Sequence, residues 1–307
     1  MLRQLEYLVA LAREQHFGRA ADACFVSQPS LSAGVRKLER ELGLPLIRRG
    51  ARYEGLTPEG EHVLVWAHRM LAEHTALRQE LASLQGELTG TLRIGAIPTA
   101  LTVASLLTRP FCARHPAAKV SLESLSSRDI TRRLSGWEID VALTYVDDDT
   151  LKGVQLLPLY EEQYVLLTPA DGPLAATAEV SWARAATLPL CLLNPRMRNR
   201  RLLDKNFAAE GATATPAVES DTVAGLYAHL STGPWSSVVS HAWLHTFGVP
   251  EGKHVVRLTG PAHGPRVGLA VTDQHPQPPM VRALLAVARD AGIRESLTDL
   301  LRRHLHS

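Results

Sequence analysis

Residues 20–42, AADACFVSQPSLSAGVRKLEREL, restrict what this chain can fold into more than any other stretch. They read as two short helices joined by a tight turn. Gly18, Arg19, Ala20 and Ala21 open the first helix, and Ala23, Phe25 and Val26 are placed to close a small core. Ser27 is a good N-cap, because its hydroxyl can accept from a backbone N–H one turn on. Gln28 and Pro29 follow as the first helical residues, where a proline sacrifices no hydrogen bond. Leu31, Val35, Leu38 and Leu42 recur at steps of four, three and four, the spacing of one buried helical stripe. The other side carries Pro29, Ser32, Ala33, Arg36 and Arg40, with Lys37 close by. Such a short, polar, basic face suits a helix lying in a DNA major groove. A solvated face on a small amphipathic helix would carry the same residues. The preceding short helix favours the first reading, since two helices meeting steeply over a tight turn make the helix-turn-helix unit.

The longer run FGRAADACFVSQPSLSAGVRKLERELGLPLIRRGARYEGLTPEG resembles the N-terminal winged helix-turn-helix of the LysR-type transcriptional regulators. The ordered pattern of RAA, the SQPSLS segment, the RKLERELG segment and LTPEG carries the likeness, and it extends more weakly over all 307 residues. The resemblance implies a DNA-binding regulator that responds to a small molecule. Gln28, Ser30 and Ser32 would reach base edges, beside Ser27 and Pro29 at the helix start. Arg36, Lys37, Arg48, Arg49 and Arg52 would mainly hold phosphates. Two departures stand out. Ile47 occupies a position where the family usually has Phe, and both are apolar anchors. Ala33 and Gly34 stand where the family usually places long polar or basic side chains, so DNA binding is implied without a fixed operator sequence.

Net charge is only +2, so nucleic-acid affinity has to come from local charge. Residues 28–53 hold six basic side chains (Arg36, Lys37, Arg40, Arg48, Arg49, Arg52) against Glu39 and Glu41, the kind of footprint a phosphate backbone needs. Cys24, Cys112 and Cys191 are scattered, with no CxxC and no zinc spacing, which fits a reducing cytoplasm. The amphipathic, internally charged N-terminus is unlike a signal peptide, and no apolar run approaches membrane-spanning length. No cofactor motif is present.

Along the chain, residues 3–15 read as a first helix with Leu5, Leu8, Val9 and Ala12 buried. Gly43 ends the second helix of the motif, and LPLIRRGARYEGLT reads as a basic hairpin wing. Thr57 caps a long helix running to about Leu88. Leu64, Ala67, Leu71, His74, Leu77, Leu81, Leu84 and Leu88 form a near-heptad seam on it. Val63, Trp66 and Met70 form a second stripe, placed to pack on the DNA-binding domain. The seam asks for a partner; a homodimer, or a dimer of dimers (homotetramer), satisfies it, and a helix of an intramolecular bundle would carry the same pattern. His62, His68 and His74 are six apart, which does not stack them as metal ligands.

After Gly90 strands alternate with helices, the mark of an α/β fold with a parallel sheet. Two α/β halves joined by crossing strands near 163–166 and 265–270 would leave a cleft. This is similar to the family's effector domain, itself similar to periplasmic solute-binding proteins. The expected organisation is therefore a winged helix-turn-helix domain (1–57), a linker and dimerisation helix (58–89) and an effector-binding domain (90–307). Within the last, one subdomain covers about 90–163 and 267–307, and the other about 164–266.

Ligands of open parallel sheets bind beyond the carboxyl ends of strands. Here those ends are Thr99, Ala100 and Leu101, with free backbone N–H groups at a helix start that favours an anion; Ser127; and Thr144. Arg196, in the other half, is the candidate to grip a carboxylate bidentately. Strand-end hydroxyls are also ordinary helix caps, and Arg196, Arg198, Arg200, Arg201 and Lys205 also read as a solvated helix face.

Two other functions compete with this one. An enzyme lacks support, since there is no GxSxG, no HExxH and no P-loop, and no acidic residue follows His241 before His245. A thiol redox sensor on the same scaffold is the alternative; the peroxide-sensing branch of the family uses a cysteine pair in one half of its effector domain, where this chain has Cys191 and no nearby partner.

Overall fold

The structure is a computed structural model describing residues 1–48, 53–84, 87–260 and 263–305. The chain divides into two compact units, Met1–Thr89 with Ser135–Glu138, and Gly90–Leu134 with Ile139–Ser307.

The first unit is built on helices α1 (Leu2–Glu14), α2 (Phe17–Ala23), α3 (Gln28–Leu42) and α4 (Pro58–Leu84). Local chemistry sets each boundary. Gln15 closes α1 in the left-handed region, at φ 50°. His16 caps α2, its Nδ1 accepting from the N–H groups of Gly18 and Arg19 at 3.1 and 3.3 Å. Ser27 caps α3 and Gly43 ends it at φ 69°, a conformation that favours glycine. Thr57 Oγ1 accepts from Gly60 N–H at 2.9 Å to start α4 and donates to the Pro45 carbonyl at 2.7 Å. A Cβ at Gly60 would collide with the Leu46 carbonyl, so only glycine lets α4 start against this strand.

Tyr7, Ala10, Leu11, Ala20, Ala21, Leu31 and Val35 form one core, and Leu5, Leu8, Leu38, Leu46, Leu56 and Ala67 a second. Helix α1 touches α2, α3 and α4 at once. Its buried arc is therefore wider than the single expected stripe: Tyr7, Ala10 and Leu11 are buried, while Val9 and Ala12 sit half-buried at its edge. Three further expectations change. Phe25 does not close the core; it occupies the turn at φ 55° and is 94 % exposed, and Ala23 is exposed too. Leu42, in the last turn of α3, is exposed. On α4, Val63, Leu64 and Leu71 flank buried Ala67 against the core, whereas Trp66 and Met70 point outward. Helix α4 ends at Leu84, short of Leu88.

The second unit runs β1 (Gly90–Ala96), a 3-10 turn (Ala100–Val103), α5 (Ser105–Arg114), β2 (Ala118–Ser124), α6 (Ser127–Ser135), β3 (Val141–Tyr145) and β4 (Val154–Pro169). It continues with β5 (Glu179–Ser181), α7 (Trp182–Ala185), β6 (Cys191–Leu193), α8 (Arg198–Ala209), β7 (Val218–Ser220), α9 (Val223–Thr232) and β8 (Ser237–Ser240). Last come α10 (Ala242–Phe247), β9 (Lys253–Thr259), β10 (His263–Thr272), α11 (Pro279–Asp290) and α12 (Ile293–Leu305). Among the described residues the main sheet runs β2-β1-β3-β10-β4-β9-β5, with β8 also on β4, and β6 pairs with β7.

The sheet is mixed, not simply parallel. Strands β1, β2 and β3 are parallel, while β10 runs antiparallel to β3 and β4. The first ten residues of β4 lie along β10, and 164–169 pair with β8 and β9. Strand β4 thus leaves one lobe and enters the other. Gly264 and Gly268 permit the crossing, since a Cβ at either would collide with a β4 carbonyl, that of Glu162 or Leu157. The C-terminal helix departs from the expected assignment of 267–307 to one subdomain. Leu301 of α12 is buried with Val165, Leu167, Trp243 and Leu244, in the core of the second lobe.

Where β4 changes partners it buries a carboxyl group. Glu162 is fully buried and accepts from the Tyr164 hydroxyl at 3.0 Å. Burial raises it from 4.5 to about 7, against hydrogen bonds from Tyr164 and Ser240 that hold it down. Neighbouring His241 is pushed the other way by burial, to about 4, and stays neutral; its Nδ1 accepts from Gln163 N–H at 3.1 Å. Because the native state holds the Glu162 proton more tightly than the unfolded chain, this group's stabilisation is complete below about pH 4.5 and is lost as pH rises to about 7. Glu162→Gln, which keeps the shape and cannot ionise, should gain stability relative to the native protein by up to about 1.4 kcal/mol per pH unit over that interval, then level off. Thermal melts of both proteins from pH 5 to 8 check this; parallel curves would refute it.

Candidate functional site

Helix α3 presents two faces with opposite environments. Leu31, Val35 and Leu38 are buried, and Gln28, Pro29, Ser30, Arg36, Lys37 and Arg40 line the open side, with Ser32 half-buried. The Ser27 hydroxyl accepts from Ser30 N–H at 3.4 Å and shares a 2.8 Å hydrogen bond with the Ser30 hydroxyl. Pro29 removes one of the unpaired N–H groups of the first turn. Lys37 lies 3.8 Å from Glu41, but both side chains are about half exposed, so the pair is weak and leaves the cation free to exchange partners. Gly34, by contrast, does not belong to the outward face. A Cβ there would lie 2.5 Å from the Tyr7 ring, so glycine is required by core packing.

Beside α3, Ile47 and Leu56 form an antiparallel bridge at the base of the wing. Glu39 Oε1 accepts from the N–H groups of Leu46 and Ile47 at 2.8 and 3.2 Å, tying this strand to α3. Arg48 is exposed, and its Nε donates to the Leu56 carbonyl at 2.9 Å. Arg49 and Arg52 lie outside the described residues.

In the second unit a cleft lies between strand ends of the two lobes. Ile97, Pro98, Thr99, Ser126, Ser127 and Tyr145 line it from one side, and Leu193, Met197, Arg198 and Asn199 from the other. The cavity is about 20 Å³, room for a water molecule. Two expected residues face it, Thr99 and Ser127. Ser126, not Ser127, caps α6, its hydroxyl accepting from Asp129 N–H at 3.1 Å. The Ser127 hydroxyl is buried and makes no hydrogen bond to any described residue. Thr99 Oγ1 lies 3.4 Å from the Tyr145 hydroxyl.

The other four expected residues lie elsewhere. The N–H groups of Ala100 and Leu101 are already bound to the Ile97 carbonyl, at 3.0 and 3.2 Å, so no free donors face the cleft there. Thr144 is buried within the sheet, on the strand paired with β10. Arg196 is exposed on the turn before α8 and is absent from the lining.

Arg198 takes the place expected of Arg196. It opens α8, lies over the Tyr145 ring at 5.2 Å and pairs with Asp148. The basic run is therefore not one solvated face. Arg200 is buried, donating to Asp204 and Glu219 at 2.8 Å each and to the Leu193 carbonyl at 3.0 Å. Helical phase explains the miss. The turn 194–197 delays the helix, so the first helical residue, not the first arginine, points into the cleft. Among the described residues no cluster of three or more His, Cys, Asp or Glu is arranged to hold a metal, and no helix is long and apolar enough to cross a membrane.

Both units have relatives among known proteins. Residues 2–61 match the bacterial regulatory helix-turn-helix protein model of the lysR family, and residues 85–292 match the LysR substrate binding domain. The Streptomyces viridosporus protein described as "Probable hydrogen peroxide-inducible genes activator" is 30 % identical over 304 residues, 97 % of this chain and 95 % of that one. The Escherichia coli DNA-binding transcriptional dual regulator OxyR is 35 % identical over 195 residues, 62 % of this chain and 59 % of that one. The solved structure of a full-length OxyR variant from Pseudomonas aeruginosa superposes with a TM-score of 0.77 at 27 % identity, covering 96 % of each chain. With a capped, basic helix in one unit and a two-lobed α/β cleft in the other, this chain belongs to the LysR family of DNA-binding transcriptional regulators.

Proposed function

We propose that the protein binds a partly palindromic duplex as a dimer and changes that binding when a small anion enters the cleft. It reads DNA with a head of residues 1–57, dimerises through the helix within 58–89 and senses with residues 90–307. The observation that carries the DNA reading is the division of α3, whose apolar side is core and whose polar and basic side is open to solvent. Gln28, Ser30 and Ser32, beside Ser27 and Pro29, read base edges. Arg36, Lys37 and Arg48, with Arg49 and Arg52, hold phosphates. We read the protein as a regulator and not a catalyst, acting in the cytoplasm with its DNA.

Dimerisation is supported by α4. Trp66, Met70, Leu77, Leu81 and Leu84 are all exposed. At 3.6 residues per turn they fall within about 60° of one another, so they form a single apolar stripe. A contiguous stripe of this kind marks an interaction surface, unlike scattered apolar residues. A second such copy covers it most simply, and a dimer of dimers follows if the sensor units also associate.

For the effector, Arg198, Ser127, Thr99 and Asn199 supply the polar contacts. The names of the relatives favour a second reading, in which peroxide is the signal. The chemistry of this chain gives that reading little support at Cys191. Its thiol is buried, and burial pushes it up to about 11. Only about one molecule in ten thousand carries the thiolate at pH 7. Cys24, Cys112 and Cys191 are all unpaired.

Arg48→Ala should weaken binding to all duplexes alike and lower the slope of log K against log salt by about one. Altered sequence preference at an unchanged slope would remove Arg48 from the phosphate contacts. Gln28→Ala should cost roughly 1–3 kcal/mol at a single base position and leave the rest of the operator profile intact, as measured by a competition series over single-base variants. Leu81→Glu should shift the protein toward monomer in sedimentation equilibrium; an unchanged mass would place the dimer contact elsewhere.

A further inference from the structure

We propose that the carboxylate of Asp148 is a built-in partner of the cleft-lining Arg198, and that an effector carboxylate binds by taking its place on that guanidinium. The inference rests on the anion reading of the cleft and adds how that site is filled before the ligand arrives.

The geometry is that of a site already in use. Arg198 is held between the face of Tyr145 and the carboxylate of Asp148. The two charged side chains are only 23 % and 12 % exposed, so water screens the pair poorly. Removing the carboxylate without replacement would deprive a half-buried cation of its hydrogen-bonded partner and leave it the charge of Asp147, which Arg198 shares with Arg266, and that is unfavourable. Another anion can replace it without that penalty. The cavity beside the pair has a volume of about 20 Å³. Arg198 lines that cavity and Asp148 does not, so the competition between carboxylates is for the guanidinium of Arg198 and not for the cavity's volume.

Asp148 is also placed to leave. It lies in the segment between β3 and β4, outside regular structure. Among the described residues its other oxygen accepts from its own turn alone, from the N–H and hydroxyl of Thr150 at 3.0 and 2.7 Å. Those contacts travel with the loop. Arg198 belongs to a helix whose first turn is fixed by Arg200, so the cation stays while the anion moves. The Ser127 hydroxyl, buried and without a hydrogen-bond partner among the described residues, supplies a donor to an incoming carboxylate oxygen.

The exchange has a consequence for control. Asp148 follows β3 in one lobe and Arg198 opens α8 in the other, so the native pair ties the lobes together. A ligand that takes over Arg198 cuts the tie, and its affinity then differs between tied and untied arrangements. That difference is what any ligand needs to shift a conformational equilibrium. Acidic effectors work against an internal competitor, so the resting protein ignores low concentrations of ordinary metabolite anions.

The test is chemical rescue in the full-length protein. Asp148→Ala deletes the internal carboxylate, and acetate is the probe that restores it. Melting temperatures are followed in acetate against chloride at matched ionic strength. Asp148→Ala should melt below the native protein in chloride and be restored by acetate at a concentration at least tenfold below that needed to move the native protein. Asp148→Asn, which keeps the side-chain volume, should show the same preference if the alanine variant folds poorly. Arg198→Gln, alone or combined with Asp148→Ala, should abolish the response. If acetate acts equally on native and Asp148 variants but not on Arg198→Gln, the cleft binds anions and the exchange is wrong. If acetate moves none of them, the anion reading falls with it. Duplex affinity and its salt dependence, measured in parallel, report on the DNA-binding reading independently.

Discussion

The second unit depends on one strand doing two jobs. Strand β4 pairs with β10 along its first ten residues and with β8 and β9 along its last six. Each lobe owns half of it, so neither can lose the strand without losing part of its own sheet. Gly264 and Gly268 let β10 pass close enough to pair with it. At the changeover lie Tyr160, Glu162 and Tyr164, all buried. An apolar side chain at 162 would be simpler to bury. The carboxyl group, whose ionisation burial delays to about pH 7, keeps a polar cluster at the point where the lobes join. Coupling between the lobes therefore has a chemical as well as a mechanical component.

Much of the architecture is legible in the chain because it rests on local rules. Ser27, Pro29 and Gly43 bracket α3, Thr57 starts α4, and strand and helix alternate after Gly90, each for reasons that act over a few residues. What is hidden depends on contacts distant in sequence. Phe25 looks like a core residue, yet the turn between α2 and α3 needs a left-handed backbone there, and that conformation turns its ring to solvent. Trp66 and Met70 have the right period to pack, but Ala67 is the residue of this helix buried with Leu38 and Leu46, and the two larger side chains are exposed. The antiparallel insertion of β10 between β3 and β4 joins segments more than a hundred residues apart. Periodicity carries no trace of such a pairing.

The cleft follows the same division. Strand ends predict where it lies, and Thr99 and Ser127 follow from that alone. Arg198 does not, because five cations crowd residues 196–205 and their roles separate only in three dimensions. Asp148 is harder still, since it belongs to a loop and meets Arg198 across fifty residues of chain. Ala100 and Leu101 mark the limit of helix-start reasoning. The turn that follows β1 is 3-10 and closes on Ile97, so the N–H groups that a longer helix would offer to a ligand are spent within the chain.

Arg198 and Arg200 show what separates a structural cation from a responsive one. They are two residues apart on one helix and share a charge, a length and a partly desolvated setting. Arg200 has three acceptors, all from its own lobe, and no single displacement can free it. Arg198 is hydrogen-bonded to one carboxylate, and that partner comes from the other lobe on a loop. A cation with many local partners stabilises one arrangement. A cation with one distant partner makes stability conditional on where the lobes are, and any anion that can stand in for that partner acquires influence over the arrangement. The sensor needs only one such group, provided that neighbouring charges are locked, as Arg200 is here.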